Sequence, residues 1–138
     1  MNNIVRGMGF HHIALKCKDF DKSIKFYEAL GCKVKMTWGE GEGRAAMIDV
    51  GDGGCIELFA GGVGEKAEAE QSGEWIHLAV SCDDTDAAFE TAISAGAEKR
   101  NAPFDTVITA ETPLPIRIAF VYGPDREVIE FFHVRDEK

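Results

Sequence analysis

Residues 12–31 read HIALKCKDFDKSIKFYEALG, and residues 77–96 read HLAVSCDDTDAAFETAISAG. Laid over each other at a shift of 65 positions, they agree at six of 20 places: His12/His77, Ala14/Ala79, Cys17/Cys82, Asp19/Asp84, Asp21/Asp86 and Gly31/Gly96. Roughly one or two matches are expected by chance at ordinary residue frequencies. The pairs Ile13/Leu78, Leu15/Val80 and Ile24/Phe89 also agree in character. The chain therefore reads as two copies of one unit. A second correspondence closes each copy. VGDGGCIELF (50–59) resembles YGPDREVIEFF (122–132), and Ile56-Glu57 falls on Ile129-Glu130 with one extra residue in the second turn. The shift there is 73, so the second copy holds about eight more residues, and the turn-rich stretch RNAPFDTVITAETPLP (100–115) is the expected place for them.

Each copy reads as β-α-β-β-β. A short strand opens it (about 10–17 and 75–82). Asp19 or Asp21, and Asp84 or Asp86, can cap the helix that follows, because a carboxylate accepts from the free N–H groups of the first turn. Phe20, Ile24, Tyr27 and Leu30 recur on one face of a 3.6-residue repeat. Gly31 and Gly96 suit the left-handed position just past a helix end. Apolar segments follow near 32–38, 44–50 and 54–60, and near 97–100 (weak), 116–122 and 127–133. The expected division is module 1 over about 9–60, a linker over 61–74 and module 2 over about 75–133, one domain in all.

Composition fits one domain of 138 residues with a packed core, since 45% of the residues are hydrophobic and 28% charged. Fifteen Lys and Arg against 24 Asp and Glu leave a net charge of −9, which argues against a grip on nucleic acid or anionic membranes. The opening MNNIVRGMGFHH lacks the apolar run of a signal peptide, and no stretch approaches a membrane span. The four cysteines (Cys17, Cys32, Cys55, Cys82) form no CxxC pair and read as reduced thiols. A cytoplasmic location is expected.

The repeat also carries chemistry. Each copy puts a His early in its first strand and a Glu in the middle of its last: His12 and Glu57, His77 and Glu130. If the copies pack about a pseudo-twofold axis, these four side chains can converge. Two imidazoles and two carboxylates suit a divalent cation such as Zn, Ni, Co, Mn or Fe. Taken singly, each His reads as a structural residue, and each Glu as an outward polar residue in an alternating strand. Recurrence of both types at equivalent places favours the metal. His11 has Ile76 as its repeat partner, and adjacent strand residues face opposite sides, so the repeat selects His12. His133 has no counterpart in the first copy and reads as an ordinary residue or one at a pocket rim.

FHHIALKCKDFDKSIKFYEALGCKV, IELF, WIHLAVSCDD and GPDREVIEFF together resemble the vicinal oxygen chelate superfamily, which includes glyoxalase I, methylmalonyl-CoA epimerase, bleomycin- and fosfomycin-resistance proteins and extradiol dioxygenases. The run from Asp19 to Gly31 (D-x-x-x-S-x-x-F-Y-x-x-L-G) is specific to the superfamily rather than to one member. The resemblance implies an α+β fold of two βαβββ modules in pseudo-twofold arrangement, with strands forming an open cup around a metal. It also implies a homodimer, in some members with one cup built from two chains. The set His12, Glu57, His77, Glu130 is most similar to bacterial glyoxalase I. That implies a lyase or isomerase that removes a proton next to a carbonyl through a metal-bound enediolate. The substrate would be a small molecule with vicinal oxygens. Glu130 would be the base, with Glu57 the alternative. Two other readings remain, an epimerase of a thioester or keto-sugar and a non-catalytic binding or resistance protein. Lys16 stands where glyoxalase I has Arg, and Leu-Phe-Ala-Gly-Gly (58–62) lacks the Asn often found there, so the metal chemistry transfers better than the thiol substrate. Arg44, Arg100 and Arg117 are candidate substrate contacts, and Trp38 and Trp75 are candidates for lining the cup.

Overall fold

The computed structural model describes residues 3, 4, 6, 10–62 and 76–136. Most of the expected linker, including its EKAEAE stretch, and Trp75 lie outside the described residues. Module 1 runs β1 (His12–Lys16), α1 (Phe20–Ala29), β2 (Lys33–Trp38), β3 (Ala45–Asp49) and β4 (Cys55–Phe59). A short 3-10 turn, Gly41–Gly43, joins β2 to β3. Module 2 runs β5 (Leu78–Ser81), α2 (Thr85–Ser94), β6 (Glu98–Ile108), β7 (Leu114–Tyr122) and β8 (Val128–Val134). Each module forms one four-stranded mixed sheet, ordered β1-β4-β3-β2 and β5-β8-β7-β6. The first and last strands of each module pair in parallel, and the other pairs are antiparallel.

The helices begin and end where the repeat predicts. Asp19 accepts from Lys22 N at 3.1 Å and Asp84 from Ala87 N at 3.0 Å, the same cap at equivalent places. Gly31 (φ +93°) and Gly96 (φ +107°) take up the left-handed turn past each helix. Phe20, Phe26 and Tyr27 of α1, and Phe89 and Ala92 of α2, are buried against Ile48, Ile56 and Leu58 in one sheet and Ala119, Val121, Ile129 and Phe131 in the other. Ile24 and Leu30 pack at the edge of that core. The four cysteines are free, with Cys17 and Cys55 buried.

The extra residues of the second copy do lie in the stretch 100–115, and they lengthen the strand marked weakly at 97–100. The turn formers do not make a long loop there. Residues 98–108 form the longest strand, paired with β7, and the turn is confined to residues between Ile108 and Leu114. Its irregular composition is absorbed in two register shifts, between Lys99 and Asn101 and between Asn101 and Phe104. Pro103 is tolerated because β6 is an edge strand and bulged there. The extra residues thus extend a hairpin.

The two modules meet through α1 and the β7–β8 turn. Ser23 Oγ donates to Asp125 at 2.7 Å, the Lys18 N–H donates to the same carboxylate, and Tyr27 OH donates to Glu127 at 2.8 Å. A Cβ on Gly123 would collide with the Glu127 carboxylate, so glycine is what leaves room for it. The repeat puts Gly54 opposite Glu127, and Ala88 and Ala92 opposite Ser23 and Tyr27. The equivalent junction on the other side therefore lacks counterparts of the Ser23, Tyr27 and Glu127 polar groups. A cleft of about 510 Å³ opens there, lined among others by Cys32, Asp52, Gly54, Cys82 and Ala88.

Candidate functional site

Strand register places the candidate ligands. Ala14 pairs with Glu57 in module 1, and Ala79 with Glu130 in module 2. His12 and His77 stand two residues before those alanines, so each His shares a sheet face with the Glu of its own module. Ile13, Leu15, Leu78 and Val80 alternate onto the helix side and pack on the core. The His and Glu residues therefore lie on the face turned away from the helices. Two residues along a strand is about 6.6 Å, a gap that an imidazole and a glutamate can close.

They do close it. His12 Nε2 lies 3.7 Å from Glu57 Oε1, and His77 Nε2 lies 3.3 Å from Glu130 Oε1. Glu130 is buried, at 7% exposure. Burial pushes its carboxyl above the usual range, and the neighbouring His77 draws it part of the way back. Neither Glu is a solvated outward residue, since the side chain of Glu57 is 16% exposed and that of Glu130 is 9% exposed.

The structure brings the four residues together as two pairs. Among the described residues no group of three or more His, Cys, Asp or Glu side chains is gathered tightly enough to hold a metal ion. His12 and His77 do line one shared cleft of about 630 Å³ between the modules, beside Phe10, Tyr27 and Arg126. The donor chemistry of each pair, one imidazole nitrogen and one carboxylate in a partly desolvated place, fits half of a divalent-metal site. A complete site needs the two halves in register with each other.

The walls around the pairs are apolar. Trp38 meets Phe59 edge to face at 6.4 Å, so Trp38 lines the open face of module 1 beside the half-exposed Met36. His77 meets Phe120 at 5.8 Å, and the Arg100 guanidinium lies 5.3 Å above the same ring. Arg100 is thus the candidate arginine near a ligand pair. Arg117 faces the helix side, where it is tied to Asp86 and Asp105 at 2.6 and 3.1 Å. Arg44 lies over the Phe20 ring and near Asp21. Lys16 shares the face of His12 and Ala14. His133 bonds the Cys82 carbonyl at 3.0 Å, as a structural residue does.

A second imidazole stands against the His12 ring. His11 lies just before β1, where strand alternation no longer applies, and its Nδ1 is 2.8 Å from His12 Nδ1. The HH dipeptide itself was the only signal for it in the sequence.

Comparison with known proteins agrees with this architecture. The family model described as "Glyoxalase/Bleomycin resistance protein/Dioxygenase superfamily" matches residues 9–131. The chain is 34% identical over 126 residues to "Uncharacterized protein YwbC" of Bacillus subtilis (strain 168), covering 88% of this chain and 94% of that one. A glyoxalase family protein from Enterococcus faecalis has a similar fold, with TM-score 0.67, 18% identity, and 90% and 96% of the two chains covered. A glyoxalase I variant from Zea mays also shares the fold, with TM-score 0.65, 21% identity, and 89% of this chain and 43% of that one covered. No helix among the described residues is long and apolar enough to cross a membrane. Matching repeat, matching topology and a family model that spans nearly the whole chain place this protein in the glyoxalase/bleomycin resistance protein/dioxygenase superfamily.

Proposed function

We propose that the chain is a metal-dependent lyase or isomerase of the glyoxalase I type, acting on a small molecule with neighbouring oxygens. The observation that carries the reading is the repeated His–Glu pair on the same face of both sheets. His12, Glu57, His77 and Glu130 would hold the metal, which when bound supplies Lewis acidity to a substrate carbonyl. Glu130 takes the proton from the carbon beside that carbonyl and returns it to the neighbouring carbon. Its burial among apolar neighbours supports this role over Glu57, because a desolvated carboxylate holds a proton better. The apolar walls exclude water from the proton while it is on Glu130. Arg100, over Phe120, is positioned to meet an anionic part of the substrate. The reading includes a homodimer. Within one chain the two pairs do not form a single group, and a second copy would supply the other half of each site.

The test is proton exchange. Metal-loaded protein in deuterated water should transfer deuterium to the carbon next to the carbonyl of a methylglyoxal–thiol hemithioacetal, or of a thioester or keto-sugar if it is an epimerase. Glu130→Gln should abolish exchange while the fold persists. Full exchange by that variant excludes Glu130 as the base.

A non-catalytic binding protein is the second reading. It is favoured by the separation of the pairs and by the half-exposed Met36, Trp38 and Phe104 on the open faces. Tight binding of a small aromatic ligand by metal-free protein, without exchange under any metal, would select it.

A further inference from the structure

The two module junctions can be laid over each other residue by residue. The β3–β4 and β7–β8 turns close alike: Val50 N donates to the Gly54 carbonyl at 3.0 Å, and Gly123 N to the Glu127 carbonyl at 2.8 Å. Gly53 (φ +92°) and Arg126 (φ +63°) take the same left-handed place in them. Asp52 therefore stands for Asp125, and Gly54 for Glu127. On the helices the shift of 65 puts Ala88 for Ser23 and Ala92 for Tyr27. Asp125 accepts from Ser23 and Lys18 across the module boundary, whereas Asp52 accepts from Gly54 N of its own turn at 2.8 Å. One junction is thus filled by a phenol ring and two carboxylates. The other keeps a single carboxylate and has small residues where the ring, the hydroxyl and the second carboxylate would stand.

Exposure follows the difference. Cys17, Ser23 and Ala97 are buried at the filled junction, at 0%, 0% and 8%. Their counterparts Cys82, Ala88 and Cys32 are only partly buried and border the cleft of about 510 Å³. Its floor is apolar, with the buried Ile56, Ile129 and Phe131. Among the described residues that line it, Asp52 is the only carboxylate, and no Lys, Arg or His stands beside it. A Cβ on Gly54 would come within 3.0 Å of Asp52 Oδ1 and 3.3 Å of the Phe10 ring, so glycine keeps the mouth clear. The cleft has the size of a small-molecule site, which ranges over about 300–1,000 Å³.

We propose that this cleft binds a small aromatic molecule that carries a hydroxyl or amine donor and no negative charge, with its ring in the place that Tyr27 fills at the other junction and its donor on Asp52. The apolar floor favours burial of a ring, and the carboxylate takes the donor in a charge-assisted bond. A lining whose one ionised group is a carboxylate repels an anion. The site lies on the helix side of the sheets, with Leu78 and Val80 in its wall, while the His–Glu pairs face the other way. It therefore does not depend on the proposed function.

p-Cresol, the tyrosine side chain as a free molecule, is the probe, and Cys32 and Cys82 in the cleft wall are the reporters. The full chain is treated with iodoacetamide at about pH 8, and modification of each thiol is followed by mass spectrometry. Both rates should fall saturably with p-cresol, about tenfold at about ten times its Kd, because only free protein reacts. p-Toluate, an anion of similar shape, should need at least about ten times the concentration for the same protection. Asp52→Asn keeps an acceptor for Gly54 N but loses the charge, and should weaken p-cresol binding several-fold. Ala88→Leu fills the cleft from α2 and should abolish protection by the probe. No saturable protection, equal protection by p-toluate, or unchanged affinity in either variant overturns the proposal. Protection that follows protein concentration instead of p-cresol also overturns it, since the cleft would then be an interface between copies. So does binding that leaves both thiols reactive, which would put the probe on the open face of a sheet.

Discussion

Removing one oxygen atom from Tyr27 tests whether the modules are held in register by the α1 junction. Tyr27 is 2% exposed and its hydroxyl donates to Glu127 across the module boundary. Burial, and then the charge of Glu127, hold the phenol well above its ordinary pKa, so it stays a donor. In Tyr27→Phe the ring still packs, but a buried carboxylate loses a hydrogen bond of the charged kind, a cost of about 1.5–3 kcal/mol. Unfolding entropy near 2.1 cal/mol/K per residue is about 0.3 kcal/mol/K for this chain, so the melting temperature should fall by about 5–10 °C. The loss has a pH signature. Burial raises the Glu127 pKa above 4.5, and the Tyr27 bond draws it partly back. A carboxyl raised on folding contributes stability that is fully present below its unfolded pKa and is lost as pH rises through the folded one. Taking away the hydroxyl raises the folded value further, so the cost of Tyr27→Phe should grow as the pH is raised from the ordinary carboxyl value of 4.5 into the neutral range. Urea denaturation of both proteins across that range is the assay. A difference below about 0.5 kcal/mol at every pH would refute the junction as a source of stability.

Three other outcomes follow from the same contacts. Asp19→Ala and Asp84→Ala should each cost about 1 kcal/mol, or about 3–4 °C of melting temperature, by freeing the first helical turn; equal losses are expected because the caps match. Burial pushes the Cys17 thiol up to about 11, so at pH 8 an aromatic disulfide reagent should modify Cys17 only as fast as the chain opens, and far faster in urea. Arg117→Met should lower the melting temperature at low salt and less at high salt, and should leave metal binding intact, because Arg117 and its partners Asp86 and Asp105 lie on the helix side.

What was legible in the sequence was whatever the repeat encodes twice. The caps Asp19 and Asp84, the turns at Gly31 and Gly96 and the shared faces of His12 with Glu57 and His77 with Glu130 all come from local periodicity applied to both copies. The failures fall where the copies differ. The strand marked weakly at 97–100 was not seen to continue to Ile108, because Pro, Asn and Asp read as turn formers, whereas pairing with β7 and two register shifts accommodate them in an edge strand. The Tyr27–Glu127 junction was hidden because it joins residues 100 apart, with no periodicity to announce it. Whether two pairs become one site depends on how modules meet, within a chain or between copies, and no local pattern records that.

Metal stoichiometry in the ligand variants tests the central claim most directly. Native protein reconstituted with Ni²⁺ or Zn²⁺ and then desalted should retain one ion per chain. His12→Ala and His77→Ala should each retain almost none, because each ion needs a pair from both modules. Retention of a full equivalent when either histidine is removed would mean that the two pairs never share an ion, and would contradict the account.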